Sequence, residues 1–218
     1  MRDDRFRVAM FGSFYRGFYL LNELLQGDIS EQVTVVGVAT DDPEASYVSA
    51  DKRVWQYPHT VYEKVMVSEL AKERGIATFN GKVNDPEFYE VIDQWKPDIC
   101  VMATFGQRIR SRLINTPKLG FYNLHPCIDD SWPSHYVGGN PFEGLMRDGK
   151  RYANIAFHAV DEGFDTGPLL GLSGKIALPM ETSVTDMHKI TSYSAAQLAS
   201  KEMKKIFAAH QNSCKKAL

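Results

Sequence analysis

Gln32-Val-Thr-Val-Val-Gly-Val-Ala39 is rich in β-branched residues and nearly continuous in apolar character. With no polar alternation, it predicts a strand covered on both faces, the signature of a parallel sheet whose connections are helices. Upstream, Arg7-Val-Ala-Met-Phe11 predicts a strand closed at Gly12, and Phe18 to Leu25 an amphipathic helix. Downstream, Asp41 to His59 is polar and broken by Asp42-Pro43 and Tyr57-Pro58, which predicts a long loop of the kind that often serves function. Val61 to Arg74 predicts a helix stopped at Gly75, and Ile76 to Phe79 a short edge strand. Asp85-Pro86 opens a helix running to Trp95, because Asp caps and Pro suits the first helical position. Ile99-Cys-Val-Met-Ala103 predicts a buried strand, Arg108 to Ile114 a short helix, and Phe121 to His125 another strand.

This alternation predicts an α/β, Rossmann-like fold: a mostly parallel twisted sheet with flanking helices, right-handed crossovers, and a ligand beyond the carboxyl ends of the strands. After residue 130 the pattern changes. Tyr152 to Val160 and Leu169 to Ala177 predict an antiparallel strand pair joined by the loop Asp161 to Pro168. Val184 to His210 predicts a long C-terminal helix capped by Thr182 or Ser183, with a frayed tail after Ala208. The whole of 1–218 reads as one domain.

Composition narrows the function classes. The chain is 44% hydrophobic and 24% charged, as a globular protein is. Lys plus Arg number 25 against 27 Asp plus Glu, for a net charge of -2, so no overall basic field favours nucleic acid. The start is too polar for a signal peptide, and no apolar run is long enough to span a membrane. Cys100, Cys127 and Cys214 are odd in number and widely spaced, which predicts free thiols and a cytoplasmic setting.

Two constellations carry chemistry. In Asn123-Leu-His125-Pro126, an amide and an imidazole two residues apart on a strand share one face, and Pro126 is expected to end the ladder. In His158-Ala-Val-Asp161-Glu162-Gly-Phe-Asp165-Thr-Gly167, a strand end leads into an acidic turn whose glycines let backbone approach a ligand. Taken alone, the first is also a strand end satisfying its neighbours, and the second a polar hairpin turn.

In this order the two motifs resemble the folate-dependent formyltransferase family, whose members formylate glycinamide ribonucleotide, methionyl-tRNA, amino sugars or hydroxyornithine. The resemblance runs from about Arg7 to Lys175 and is strongest from Pro97 to Leu170, where Asp98-Ile-Cys-Val-Met-Ala-Thr-Phe-Gly-Gln107 is similar to the strand and loop entering the folate pocket. It implies a catalytic trio of Asn123, His125 and Asp165, with His158 either supporting them or merely packed. It implies that 10-formyltetrahydrofolate, with no metal, lies against Phe105, Gln107, Ile109, Asp161 and Glu162. Asn123 and His125 would stabilise a tetrahedral oxyanion, while Asp165 would move the proton and favour the charged form of His125.

Departures from the family pattern bear on the acceptor. Where purine-pathway members carry a glycine-rich loop cradling a phosphate, this chain has Gly12-Ser-Phe14-Tyr15-Arg16-Gly17, crowded by aromatics; Arg16 is expected to be a solvated helix-start residue, the alternative being that it meets an acidic group on another substrate. The chain stops at Leu218, where methionyl-tRNA members continue into another domain, and its late lysines suit a helix end rather than tRNA. The insert after Cys127 supplies Asp129, Asp130, Trp132 and, near its end, Tyr136 as expected contacts to the acceptor. Trp55, Tyr57 and Trp132 offer faces for a base.

The expected activity is therefore N-formylation of a small-molecule amine, with a nucleotide-linked amino sugar or a hydroxyornithine-type siderophore precursor foremost. No nucleic-acid or membrane partner is expected, and a homodimer through the last helix or a strand edge is possible. The alternatives are a formyl-folate hydrolase and a non-catalytic nucleotide-binding module.

Overall fold

The computed structural model describes residues 4–45, 54–127, 132–136 and 140–216. In chain order the elements are β1 (Phe6–Gly12), α1 (Phe14–Gln26), a 3-10 turn (Ser30–Gln32), β2 (Val33–Ala39), a second 3-10 turn (Val54–Gln56), α2 (Val61–Glu73), β3 (Thr78–Phe79), α3 (Pro86–Trp95) and β4 (Ile99–Ala103). There follow α4 (Ser111–Ile114), β5 (Phe121–Cys127), α5 (Pro141–Arg147), β6 (Tyr152–Ala159), β7 (Leu169–Leu172), β8 (Ile176–Ala177) and α6 (Val184–Lys216). The sheet order is β3-β2-β1-β4-β5-β6-β7, with β8 beside β6. Strands β1 to β5 run parallel, whereas β6 is antiparallel to β5, β7 and β8.

Period-two alternation assigns the faces. Val8 and Met10 of β1, with Val101 and Ala103 of β4, join a core against α1, α2 and α6 through Leu20, Leu21, Val67, Leu70, Ala199 and Met203. Ala9, Phe11 and Cys100 face the other way, onto Phe88, Ile92 and Trp95 of α3. On that side Phe11 meets Phe88, Phe105 and Phe121 at ring centroid distances of 5.7, 5.7 and 4.9 Å.

The sequence expectations need five amendments. Helix α1 starts at Phe14, four residues before the expected Phe18, because Gly12 and Gly17 let helix and strand touch: a Cβ on Gly17 would stand 2.7 Å from the Gly12 carbonyl carbon. Pro126 does not end its strand. Beyond Asn123, β5 has no pairing with β4 and continues against β6 alone, so a missing N–H on the vacated side breaks nothing. Helix α5 was not expected; it starts with Pro141 in its first turn. The second run of the expected strand pair is split into β7 and β8. The tail is helical to Lys216, although Gln211 to Lys216 are exposed, and the cap of α6 is Ser183, whose Oγ accepts from Asp186 N at 3.1 Å.

Among the described residues, no helix is long and apolar enough to cross a membrane. Among the described residues no disulfide forms; Cys100 and Cys127 are buried and Cys214 is exposed.

Candidate functional site

The chain moves outward through β1, β2 and β3, then returns to place β4 on the other side of β1. Where strand order reverses, the loops after β1 and β4 part and leave a crevice at their carboxyl ends. An open cleft of about 900 Å³, mouth included, lies there. Its lining comes from the ends of β4, β5 and β6, from α1 and α6, and from the loop 161–165.

Asn123 and His125 share a face with Phe121 of the α3 side, but lie past the helix cover and therefore face the cleft. The antiparallel strand β6 sets His158 opposite Asn123. Asp165 comes from the turn after β6, with a left-handed backbone (φ 53°) that costs a non-glycine residue free energy. The four side chains touch. Asn123 Nδ2 donates to Asp165 Oδ1 at 3.1 Å and lies 3.2 Å from His158 Nε2. Asp165 Oδ2 is 3.3 Å from His125 Nδ1, and its Oδ1 is 3.5 Å from His158 Nε2.

Carbonyl oxygens fix the imidazoles. His158 Nδ1 faces Ala159 O at 2.8 Å, so Nδ1 carries the hydrogen and Nε2 accepts from Asn123. Both amide hydrogens of Asn123 are thus engaged, one by His158 and one by Asp165. His125 Nε2 faces Tyr136 O at 2.7 Å and must likewise donate. Its Nδ1 then confronts the Asp165 carboxylate, so a proton taken up by the pair would lie between its two members.

Burial pushes the His125 pKa below 6.5. Asp165 and the Tyr136 carbonyl pull it up, while His158 and Arg16 add to the depression. The expectation that Asp165 would favour the charged ring is met in sign, but burial outweighs it.

The residues expected at the folate are not all together. Phe105, Gln107, Ile109 and Asp161 line the cleft. Phe105 also packs on Phe11, and the Gln107 amide is committed to Val83 N at 3.0 Å and Gly81 O at 2.9 Å. Glu162 lies outside, where its carboxylate accepts from Ser111 Oγ and its carbonyl from Arg108.

Of the expected acceptor contacts, Asp129 and Asp130 fall outside the described residues. Trp132 does not line the cleft: its ring packs on His158 at 4.6 Å and its Nε1 donates to Gly167 O at 2.8 Å. Tyr136 acts through its carbonyl on His125, and its hydroxyl donates to Asp148. Trp55 reaches the cleft but is only 5% exposed, with Nε1 3.2 Å from Asp41 Oδ2, so its face is a packing surface.

Sequence reasoning missed Arg16 and His188 as cleft residues. Far from being solvated, Arg16 is 2% exposed. Among the described residues, no group of three or more His, Cys, Asp and Glu is placed to hold a metal ion.

A family model described as formyl transferase matches residues 5–200. The methionyl-tRNA formyltransferase of Kosmotoga olearia is 29% identical over 143 residues, 65% of this chain and 44% of that protein. That of Caldicellulosiruptor saccharolyticus is 31% identical over 120 residues, covering 55% and 37%. The chain thus spans less than half the length of these curated relatives.

Among solved structures, glycinamide ribonucleotide transformylase 1 from Geobacillus kaustophilus superposes with a TM-score of 0.68 at 18% identity, covering 93% of this chain and 98% of that one. A formyltetrahydrofolate deformylase from Pseudomonas syringae gives 0.66 at 15% identity, covering 92% and 61%. These likenesses are of fold.

Proposed function

The chain belongs to the formyl transferase family, and on that premise we propose that it moves a formyl group from 10-formyltetrahydrofolate to the amine of a small molecule. The observation that carries the reading is the convergence of Asn123, His125 and Asp165, distant in sequence, on one wall of a cleft at the sheet's reversal point. The folate lies along Phe105, Ile109 and Asp161. The acceptor nitrogen attacks the formyl carbon, a C–N bond forms, and charge collects on the formyl oxygen. Asn123 turns one amide hydrogen from Asp165 to that oxyanion. Asp165, released from Asn123, takes the proton from the attacking nitrogen and shares it with His125 Nδ1, which then donates to the oxyanion beside Asn123 while its Nε2 hydrogen stays on the Tyr136 carbonyl. The same proton passes to the folate nitrogen as its bond to the formyl carbon breaks. No covalent enzyme intermediate is needed.

A nucleotide-linked amino sugar and a hydroxyornithine-type siderophore precursor are the first acceptors to test. The supporting argument is that the cleft holding the trio has the volume of a small-molecule site, about 900 Å³ with its mouth. The test pairs calorimetry of a stable folate analogue with turnover on an acceptor panel that includes glycinamide ribonucleotide and methionyl-tRNA.

Asp165→Asn is the sharpest variant, because asparagine accepts the left-handed backbone at that position. It is expected to keep folate affinity within a few-fold while turnover falls by about 10²–10⁴. Asn123→Ala is expected to lose about 10²–10³ in turnover. Absence of folate binding in the parent chain refutes the reading, and formate release without any acceptor would reassign the trio to hydrolysis.

A further inference from the structure

The cleft wall contains a cation that formyl transfer as drawn above does not use. Arg16 on α1 is 2% exposed. Its guanidinium donates to two hydroxyls, Thr104 Oγ1 at 3.3 Å and Thr191 Oγ1 at 3.0 Å, and stands 5.9 Å from the Phe142 ring centroid. Its Nε is buried and has no hydrogen-bond partner. Burial draws its pKa down to about 9, which leaves it charged at neutral pH. An enclosed charge with only hydroxyl partners is costly and calls for a counter-ion.

Of the three carboxylates lining the cleft, Asp41 accepts from Gly106 N at 2.9 Å and from Trp55, Asp161 from Thr166 and Gly163 N, and Asp165 from Asn123.

His188 of α6 lines the same cleft. It is 5% exposed, edge-on to Phe142 at 4.8 Å and to Phe14 at 6.2 Å, and its Nδ1 is also unpartnered. Burial foremost, then the Arg16 charge, keeps its pKa well below 6.5, so at neutral pH it offers a neutral N–H. Arg16 also depresses His125, which places its charge within electrostatic reach of the trio.

Resting on the formyl-transfer reading, we propose that Arg16 and His188 form an anion subsite for the acceptor, which is therefore an amine that also bears a carboxylate or a phosphate. The guanidinium supplies charge and a fork of donors, the imidazole a second donor, and the bound anion sits close enough to His125 to hold the amine at the formyl carbon. The contact is made by side chains of the first and last helices. The backbone of the first loop is closed to this task by the Phe14 ring, itself 1% exposed against Trp55.

The test uses the whole chain and simple probes. Inorganic phosphate and acetate are titrated calorimetrically at constant ionic strength against a chloride background, into the parent protein, Arg16→Met and Arg16→Lys. A stable folate analogue is titrated in parallel. The parent is expected to bind one or both anions saturably, Arg16→Met to weaken that binding by about tenfold or more, and Arg16→Lys to retain most of it. The anion bound more tightly identifies the carboxylate or the phosphate acceptor class.

No saturable anion binding in the parent, or equal binding in Arg16→Met, overturns the proposal. Should Arg16→Met fail to fold, His188→Phe carries the same test: an about three- to tenfold loss of anion binding sustains the subsite, and unchanged binding refutes it. Folate binding that persists while anion binding is absent rejects the subsite alone; lost folate binding rejects the reading beneath it.

Discussion

His125 and His188 are held below 6.5 chiefly by burial, and that has a consequence for stability. The unfolded chain takes up these protons at a higher pH than the folded one, so between the unfolded and folded pKa values it binds more protons. Stability is therefore full above about pH 6.5 and declines as pH falls through that value, by about 1.4 kcal/mol per pH unit for each histidine that titrates fully. A urea midpoint lower at pH 5.5 than at pH 7.5, with part of the difference removed in His188→Phe, is the expected result.

The same residues show what a sequence can and cannot disclose. The shared face of Asn123 and His125 was legible because a spacing of two on a strand fixes it, whereas Asp165 was singled out among the loop acids by the family resemblance. Arg16 and His188 were not legible, since nothing local couples the start of the first helix to the last one. Trp132 misled for a related reason: an aromatic in a loop insert suggests a ligand face, yet its ring was claimed by His158.

Among the elements, strands were read more securely than helix starts. The apolar runs of β1, β2 and β4 leave no other period to choose, whereas α1 buries Arg16 and Glu23 alongside its leucines and so blurs its own apolar stripe. Helix α5 escaped notice because its seven residues give too few turns for a period to show. The contact of Gly12 with Gly17 is the element-scale feature most open to test. In Gly17→Ala the new methyl meets backbone, not a mobile side chain, so α1 must lift from β1. A loss of about 1–3 kcal/mol in urea denaturation is expected, with folate affinity reduced in step because the β1–α1 turn borders the cleft.

Across the whole molecule, α6 crosses the sheet and binds its two ends together. His188 reaches the cleft and Thr191 holds the Arg16 guanidinium, while Phe207 stacks on Phe6 at 4.0 Å at the amino end of β1. Amides from Thr191 to Phe207 are expected to exchange hydrogen only on global unfolding, and those of the exposed stretch after Gln211 orders of magnitude faster. Native-state exchange read by NMR or mass spectrometry checks this gradient; uniform protection to Lys216 would contradict it. The exposed stretch also carries Cys214, the one cysteine of three that a reagent can reach. Because α6 meets the amino end of β1 there and the cleft opens at the carboxyl ends, a maleimide dye or biotin attached at Cys214 would anchor the molecule by its back, leaving the mouth of the cleft turned toward whatever is flowed over it.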